Sequence, residues 1–426
     1  MCAVGSAGFP VSYCAIDFGT SNSALAVARA GQLALAELEP GFSTMPTAVF
    51  YSAGEVTRHY GRAAVAAYVD GIDGRLMRSL KSILGSDLME ETTEIAAGRS
   101  VRYLDVVIGY LSRMRDVAQR QFGVTLRRAV LGRPVYFVDD DPVRDARAQE
   151  TLGRAARMAG FESIDFEFEP IAAARDFESR ATHETVVLVA DIGGGTSDFS
   201  LVRVGPQRRN AEDRRADILA NHGVHIAGTD FDRSVNLAAI LPLAGYRSKT
   251  PEGRDVPASI YFDLATWHLI NTTYAHARVI EIRRMRPMYA DGRMHARLLG
   301  ILRHRLGHQL AARAEQAKID VAEHGSARID LGAVEARLTA ALDATRQHAA
   351  LAENVERIVA AARETVRRAQ LPDDRVEAVY FTGGSTGLRS LAARIAAQFP
   401  GARAVHGDRF TSVVSGLALT AQRRFG

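Results

Sequence analysis

The sequence is poor in the residues and segments that mark secreted and membrane proteins. Its two cysteines, Cys2 and Cys14, are too few and too close to one terminus to staple a secreted fold, and they have no metal-ligand spacing. No apolar run reaches the roughly 18 residues that a membrane span needs. The first basic residue is Arg29, so the charged start of a signal peptide is missing. We therefore expect a cytoplasmic protein with reduced thiols and no membrane partner.

The excess of one charge sign is also small. The 426 residues carry a net charge of +4, and 47% hydrophobic with 24% charged residues is ordinary for a globular protein of more than one lobe. One stretch, 278 to 305, forms a basic face with few interleaved aromatic residues. We interpret it as a solvated helix surface and keep nucleic-acid binding as the open alternative. Its arginines are Arg278, Arg283, Arg284, Arg286, Arg293, Arg297, Arg303 and Arg305.

Two segments repeat one design. Residues 14 to 29 and 186 to 204 each have an apolar run, a turn of glycine and small polar residues, and a second apolar run, which predicts strand, turn and strand. Aligning Asp17 with Asp191 places Gly19 on Gly193. The chain is therefore predicted to contain two related halves.

Helical patterns alternate with these strands and predict an α/β class. Helices are predicted over 76–84, 104–122, 142–159, 335–349 and 353–369, and a last strand, E-A-V-Y-F-T, runs into G-G-S-T-G at 383–387. Two sets of metal-ligand candidates remain as alternatives. The acids at 139–141 are expected to cap the helix at Pro142, and the pair His304 and His308 has no evident third ligand.

Three strand-terminal glycine turns, at 17–22, 191–198 and 383–387, carry the chemistry. Clustered backbone N–H groups form concavities that bind anions, and glycine lets the backbone approach a ligand closely. Mg²⁺ prefers a few carboxylates, retained waters and substrate phosphates. Asp17 and Asp191, opposed across a cleft, therefore predict a Mg²⁺-nucleotide site. In the purely structural alternative, each aspartate only closes its own turn.

Five motifs, taken in chain order, resemble the nucleotide-binding domain of Hsp70 chaperones. They are I-D-F-G-T-S-N-S, A-D-I-G-G-G-T-S-D, A-G-T-D-F-D, E-Q-A-K-I and Y-F-T-G-G-S-T-G. The stretch F-D-L-A-T-W-H at 262–268 resembles the Hsp70-like YegD group in particular. The resemblance implies the two-lobed actin/Hsp70 ATPase fold, with duplicated ribonuclease-H-like halves and a nucleotide cleft between them. Lobe I would span 11–182, with a smaller subdomain at about 46–103. Lobe II would span 183–426, with its core at about 183–232 and 315–426 and an expanded insert at about 233–314.

The same resemblance assigns roles to residues. It implies ATP or ADP with Mg²⁺ bound by Asp17 and Asp191, and K⁺ as a second candidate ion. Lys81 would be the catalytic lysine, Glu169 the glutamate that orients water, Asp191 a competing base, and Thr196 a neighbour of the γ-phosphate. The remaining nucleotide-binding residues would be Gly19, Thr20, Ser21, Asn22, Gly193, Gly194, Gly195, Gly228, Glu315, Lys318, Gly383, Gly384 and Ser385. Pro134 matches the switch proline of the family.

The chain departs from the family pattern around the base. Ala322 stands where a serine is usual, Gly387 where an arginine commonly stacks on the base, Phe410 where an aspartate is usual, and Ala227 replaces a glycine. The chain also stops just after its last helix, so we expect no peptide-binding domain.

Three functions follow as hypotheses. The first is a Mg²⁺-dependent ATPase, a chaperone or chaperone-like regulator whose lobes open and close with nucleotide state and whose insert at 233–314 binds a protein partner. The second is a small-molecule kinase on the same fold, for which no sugar-kinase signature is found. The third is a non-hydrolysing, nucleotide-gated scaffold, or a nucleic-acid binder that uses the basic face.

Overall fold

The computed structural model describes residues 11–29, 32–54, 57–409 and 411–426. The strands are β1 Val11–Phe18, β2 Asn22–Arg29, β3 Gln32–Leu35, β4 Thr44–Pro46, β5 Ala48–Ser52, β6 Arg58–Tyr60, β7 Gly74–Arg78, β8 Thr92–Ala96, β9 Arg99–Arg102, β10 Thr125–Arg133, β11 Ser163–Phe168, β12 Thr185–Ile192, β13 Ser197–Val204, β14 Ile218–Val224, β15 Ser326–Asp330, β16 Thr339–Asp343, β17 Ala378–Thr382 and β18 Arg403–His406. The α-helices are α1 Gly61–Val69, α2 Tyr103–Phe122, α3 Pro142–Met158, α4 Glu169–Arg180, α5 Gly228–Val235, α6 Ser259–Ala265, α7 His276–Arg284, α8 Gly292–Arg303, α9 Gly307–His324, α10 Ala344–Arg368, α11 Arg389–Ala396 and α12 Ser412–Phe425.

The two large sheets share one topology. The strand order is β11-β10-β1-β2-β3 in the first sheet, with β4 also paired to β2, and β14-β13-β12-β17-β18 in the second. In each, an antiparallel meander in chain order is followed by two strands parallel to its first strand. The hairpin registers match as well, because Asp17 pairs with Ala24 and Asp191 with Asp198. The predicted duplication and the two-lobed α/β class are confirmed.

A shared apolar core joins the two sheets at the base of the cleft. Each lobe has its own core, and a third cluster contains Ala15 and Ala26 of the first sheet, Val187 and Val189 of the second, and residues of α4 and α12. Helices α4 and α12 cross closely, since a Cβ on Gly416 would lie 1.9 Å from the carbonyl oxygen of Ala172. The lobes therefore meet at one packed floor, and the ends of β1 and β12 lie above it.

Buried ion pairs reinforce this floor. Arg214 contacts both Asp217 and Glu178, with 2.9 Å between its Nη2 and Glu178 Oε1, and all three side chains are at most 2% exposed. One turn earlier on α4, Arg175 Nη2 donates to Glu167 Oε2 at 2.8 Å. Since α4 contributes Arg175 and Glu178, the network ties that helix to the segment after β13.

The helices predicted over 104–122 and 142–159 are confirmed as α2 and α3. The acids before α3 act as expected, because Asp141 Oδ1 accepts a hydrogen bond from the backbone N–H of Arg144 at 3.0 Å and so caps the helix. The strand predicted before G-G-S-T-G is confirmed as β17.

Two helix predictions are wrong in part. Over 76–84, residues 74–78 form β7, Ser79 turns with φ of 57°, and only the 3₁₀ turn Leu80–Ile83 is helical. Over 335–349, residues 339–343 form β16, whose buried Ala340 and Leu342 alternate with exposed neighbours. A short apolar pattern is ambiguous between periods of 2 and 3.6, and pairing with a partner strand decided both cases.

His304 and His308 do not lie on one helix. Helix α8 ends at Arg303, α9 begins at Gly307, and Arg305 between them has a φ of 53°. His304 is exposed while His308 is buried, so this pair does not form the i, i+4 ligand arrangement that was the alternative. Among the described residues, no helix combines the length and the apolar character that crossing a membrane would require.

Candidate active site

Asp17 and Asp191 occupy equivalent places, each one residue before the end of the first strand of its sheet. Burial, then the charge of Glu169, raises the pKa of Asp17 to about 7. Burial, then the charges of Asp198 and Glu169, raises the pKa of Asp191 to about 8. An acid that is costly to ionise in its pocket gains from a cation placed beside it. The two carboxyl groups on the cleft floor would therefore be stabilised in their charged form by a cation bound beside them.

Lys81 and Glu169 form an ion pair at the same place. Lys81 Nζ lies 2.7 Å from Glu169 Oε1, with the side chains only 10% and 15% exposed. Burial lowers the pKa of Lys81, but Glu169, Asp17 and Asp191 outweigh it, so the pKa is raised and the lysine is charged. The 3₁₀ turn after β7 presents Lys81, while Glu169 opens α4. One buried cation thus serves several carboxylates.

The first turn, 19–22, has a conformation that only glycine permits at its start. A Cβ on Gly19 would lie 2.1 Å from the carbonyl oxygen of Asn22. Thr47 Oγ1 donates to the carbonyl oxygen of Gly19 at 2.8 Å and also meets Ser23 Oγ at 2.8 Å. The turn therefore packs closely against its own backbone, and Thr47, which lies just before β5, holds it in place.

The second turn, 193–196, faces the first. The N–H of Gly193 donates to the carbonyl oxygen of Thr196 at 3.0 Å, and a Cβ on Gly194 would lie 2.5 Å from Ser21 Oγ. Ser21 belongs to the first lobe, so the two glycine turns approach each other across the cleft. This is the arrangement that the sequence repeat predicted.

Asp198 is a candidate that the sequence reasoning missed. Its Oδ2 accepts a 2.7 Å hydrogen bond from Thr196 Oγ1, and it lies opposite Asp191 in the β12–β13 register. Burial raises its pKa, against the Thr196 hydrogen bond that lowers it. The signal was present, since Asp198 is the last residue of D-I-G-G-G-T-S-D, but its pairing with Asp191 needed the hairpin register.

The third turn and the start of α5 pack onto the second turn. Ser385 Oγ donates to the carbonyl oxygen of Gly193 at 2.7 Å, and the N–H of Gly228 donates to the same oxygen at 3.3 Å. Gly383 has a φ of 88°, and a Cβ there would lie 2.6 Å from Asp191 Oδ1. Gly228, Gly383 and Ser385, three of the residues predicted for the adenosine side, therefore lie close together beside Asp191.

Lys318 and Glu315 approach from α9. Lys318 Nζ lies 2.6 Å from Asp232 Oδ1 on α5, and burial raises the pKa of Asp232 to about 6 although Lys318 opposes the shift. Glu315 is exposed. Helix α9 is thereby held against α5 through Lys318, and of its two predicted nucleotide residues only Glu315 lies on the exposed side.

The space left by Gly387 is occupied by another residue. A Cβ on Gly387 would lie 2.8 Å from Arg409 Nη1 and 3.2 Å from its Cζ, so the Arg409 guanidinium stands where a larger side chain would begin. Phe410, the other departure predicted near the ribose, lies outside the described residues. The loss of an arginine at 387 therefore coincides with an arginine supplied from another loop.

The donor set fits Mg²⁺ bound together with phosphate. Asp17, Asp191, Asp198 and Glu169 face a single lysine, and burial, followed by the charges of the neighbouring carboxylates, raises the pKa values of the three aspartates. Among the described residues, no three acidic, histidine or cysteine side chains are close enough to hold an ion by themselves. The carboxylates would therefore share the ion with waters and phosphate oxygens, as Mg²⁺ prefers. K⁺ binding stays a prediction.

Other candidates from the sequence lie elsewhere. Five arginines of the basic face have partners within the protein. Arg278 pairs with Asp263 and Glu281, Arg286 donates to the Tyr289 carbonyl, Arg293 pairs with Asp291, Arg297 pairs with Glu335, and Arg305 lies over the Tyr274 ring. This engagement favours the interpretation of a solvated surface. The carbonyl of Pro134 accepts a 3.0 Å hydrogen bond from Arg133 Nε, and its predicted switch role stays a prediction.

Comparison with known proteins agrees with these motifs. The sequence model of a family described as "Hsp70 protein" matches residues 13–238. The chaperone protein DnaK of Mycoplasmopsis synoviae (strain 53) is 29% identical over 221 residues, which is 52% of this chain and 33% of that protein. The DnaK of Mycoplasmoides gallisepticum is 29% identical over 222 residues, 52% of this chain and 34% of that protein. The DnaK of Guillardia theta is 28% identical over 245 residues, 52% of this chain and 36% of that protein. The chain thus matches about a third of the length of these relatives.

Proposed function

The chain belongs to the Hsp70 family, and from this premise we propose that it is a Mg²⁺-dependent ATPase that binds ATP and ADP in the cleft between its lobes. The observation that carries the proposal is the convergence of three glycine turns on Asp191, with the Lys81–Glu169 pair beside them. The proposed lobes are 11–182 and 183–426, and the proposed location is the cytoplasm. The narrower resemblance to the YegD group stays a prediction.

The chain's own residues have distinct proposed tasks. Backbone N–H groups of 19–22 and 193–196 would bind phosphate oxygens, and Gly228, Ser385, Glu315 and Lys318 would hold the nucleoside end. Asp17 and Asp191 would bind the ion, directly or through water. Mg²⁺, when bound, would offset the negative charge of the phosphates.

Hydrolysis needs stabilisation of charge on the γ-phosphate and an oriented water. Lys81 would donate to a γ-phosphate oxygen, and Thr196 would contact the same group. Glu169 lies within hydrogen-bond distance of Lys81 and would orient the water or accept its proton once the lysine turns toward phosphate. Asp191 and Asp198 are competing bases, since raised pKa values suit an acid to proton transfer near neutral pH.

The direct Lys81–Glu169 pair favours one alternative. The 2.7 Å contact already uses one N–H of Lys81 and one carboxylate oxygen of Glu169, which lowers the capacity of both side chains to bind phosphate and water. A non-hydrolysing, nucleotide-gated scaffold therefore stays the second candidate, and the insert at 233–314 is the proposed partner surface. The kinase alternative has no comparable support.

Phosphate release from ATP tests the proposal, with and without Mg²⁺. The chain has only three lysines, so Lys249, which is exposed and paired with Asp255, supplies a matched control. We expect Lys81→Ala to lose about 10²–10³-fold in rate, as for removal of one donor to developing charge, and Lys249→Ala to keep it. Equal rates in both variants would remove Lys81 from catalysis. ATP binding without phosphate release from the wild type would favour the scaffold.

A further inference from the structure

A cavity of about 530 Å³ lies between the end of α1 and the start of α9. One wall is the segment from the end of α1 to the start of β7, and the other is formed by residues 271–275 and by the connection of α8 to α9. Among the described residues, none of those predicted for the nucleotide site lines it. Small-molecule sites commonly have volumes of about 300–1,000 Å³, so this space is large enough for a small organic ligand.

Aromatic and apolar side chains supply part of the walls. The Tyr68 ring and the His308 ring meet edge-to-face with their centroids 4.7 Å apart. Tyr274 and the exposed Ile72 also line the space. Aromatic rings pack favourably in offset or edge-to-face contacts, so walls of this kind fit a ligand with a flat ring.

His308 brings an unsatisfied acceptor to the inner wall. Its side chain is 2% exposed, and burial lowers its pKa to about 4, so the ring is neutral at pH 7. A hydrogen bond with the Trp267 backbone opposes that shift, as expected of a ring N–H that donates, and Nε2 has no partner among the described residues. The neutral ring has one donor and one acceptor nitrogen, so Nε2 is the acceptor. Buried polar groups are normally paired, and a ligand O–H or N–H would satisfy this one.

Two charges of opposite sign stand at the rim of the cavity. Arg305 and Asp73 both line it and are exposed. The Arg305 guanidinium lies 6.0 Å from the centre of the Tyr274 ring, and neither charged side chain forms an ion pair with another residue that the structure describes. A guanidinium binds a carboxylate, and a carboxylate binds an ammonium group, through charge-assisted hydrogen bonds. The rim therefore fits a small zwitterion.

We propose that this cavity binds a free aromatic amino acid whose ring carries an O–H or N–H donor, of which tyrosine is the simplest case. The ligand ring would lie between Tyr68 and Tyr274, and its hydroxyl would donate to His308 Nε2. The carboxylate would bind Arg305 and the ammonium group would bind Asp73. Phenylalanine has no donor on its ring and would leave Nε2 unsatisfied, so the site should discriminate against it. The proposal goes beyond the proposed function, because no nucleotide takes part in it.

The test is calorimetric titration of the nucleotide-free protein with L-tyrosine. Trp267 is the only tryptophan, and its ring centroid lies 4.7 Å from that of His308, so its fluorescence gives a second readout. We expect saturable binding with a Kd on the order of 0.1–1 mM, as for a ligand of this size, and binding about tenfold weaker for L-phenylalanine. N-acetyl-L-tyrosinamide keeps the ring but lacks both charges, and it should also bind about tenfold more weakly. This compound separates a free amino acid from a tyrosine within a peptide.

Two variants assign the groups of the site. His308→Phe keeps an aromatic ring without the acceptor, and it should bind tyrosine and phenylalanine within about twofold of each other. Arg305→Ala should weaken tyrosine binding about tenfold. Arg303→Ala is the matched control, because Arg303 is exposed at the end of α8 and is not among the residues that line the cavity. A native circular dichroism spectrum shows that each variant is folded.

Three results would each overturn the proposal. The first is that the folded wild type shows no saturable binding of L-tyrosine. The second is that the wild type binds tyrosine and phenylalanine equally, or binds N-acetyl-L-tyrosinamide as tightly as tyrosine. The third is that Arg305→Ala binds tyrosine like Arg303→Ala. If His308→Phe does not fold, the ligand series and the two arginine variants still decide. Binding of ADP with Mg²⁺ is measured separately, so a failure of the proposed function would leave these outcomes unaffected.

Discussion

Binding of Mg²⁺ and ADP should release protons from the cleft. The pKa of Asp17 is raised to about 7 and that of Asp191 to about 8, chiefly by burial, so both carboxyls hold protons near neutral pH in the nucleotide-free protein. At pH 7 the two together would carry about 1.4 protons, taking half for the first and nine-tenths for the second. A divalent cation beside them favours the ionised forms, and the protons leave.

Calorimetric titration at pH 7 measures this number. Mg²⁺ and ADP are premixed and injected in buffers of different ionisation enthalpy, and the slope of the observed enthalpy gives the protons released. We expect about 1.4 protons at most for the wild type and about half a proton at most for Asp191→Asn, in which only Asp17 remains to release one. A slope of zero, or proton uptake, would refute the reasoning that burial holds these carboxyls protonated.

The same shifts fix the sign of the pH dependence of stability. The folded-state pKa values lie above the usual 3.8, so the folded protein binds more protons than the unfolded chain between about pH 4 and 8. The free energy of unfolding of the nucleotide-free protein should therefore fall as pH rises through that window. Mg²⁺ and ADP should raise the melting temperature more at pH 8 than at pH 6.

Three further predictions follow from the packing. Gly19→Ala should lower the free energy of unfolding by about 1–3 kcal/mol, because the added Cβ would meet the Asn22 carbonyl. Gly195→Ala is the control: a Cβ there has no atom within 4 Å, so this variant should unfold in urea like the wild type. Equal urea midpoints for the two variants would contradict the turn geometry. Arg409→Ala should weaken ADP binding about tenfold, because the guanidinium beside Gly387 would stack on the base. Arg394→Ala, at a surface residue paired with Glu356, is the control, and unchanged affinity would exclude Arg409 from the base site. Arg214→Leu should cost about 3–5 kcal/mol in urea unfolding, since it leaves Glu178 and Asp217 buried without their partner, and a loss below 1 kcal/mol would show that water replaces it.

The sequence alone predicted those features that depend on local pattern. The hairpins around Asp17 and Asp191, the turns that follow them, and the long helices α2 and α3 all have strong periodicity or turn residues nearby in the chain. The duplicated sheets followed from the repeat of one hairpin. Local pattern was insufficient where an apolar run was short, as in β7 and β16, since strand pairing there outweighed helical spacing.

Contacts between distant segments that lie outside the repeated hairpins could not be predicted. The role of Asp198 beside Asp191 depends on the hairpin register, and the approach of Arg409 to Gly387 depends on two loops that meet only in the fold. Trp267 and His308 were visible as single residues, but their contact with Tyr68 spans some 200 positions of the chain. No spacing rule connects such residues, because packing of whole lobes brings them together.

The most direct test of the account is equilibrium binding of ADP to the purified protein with Mg²⁺ and, separately, with EDTA. The account predicts one ADP site that needs Mg²⁺, and at least a tenfold loss of ADP affinity in the Asp17→Asn/Asp191→Asn double variant. This variant should remain folded, because the two buried carboxyls are costly to ionise and neutral amides in their place do not carry that cost. Two results would contradict the claim that these two aspartates and the turns around them form a Mg²⁺-nucleotide site. One is that the folded wild type does not bind ADP. The other is that neither EDTA nor the double substitution changes the affinity for ADP from that of the wild type with Mg²⁺.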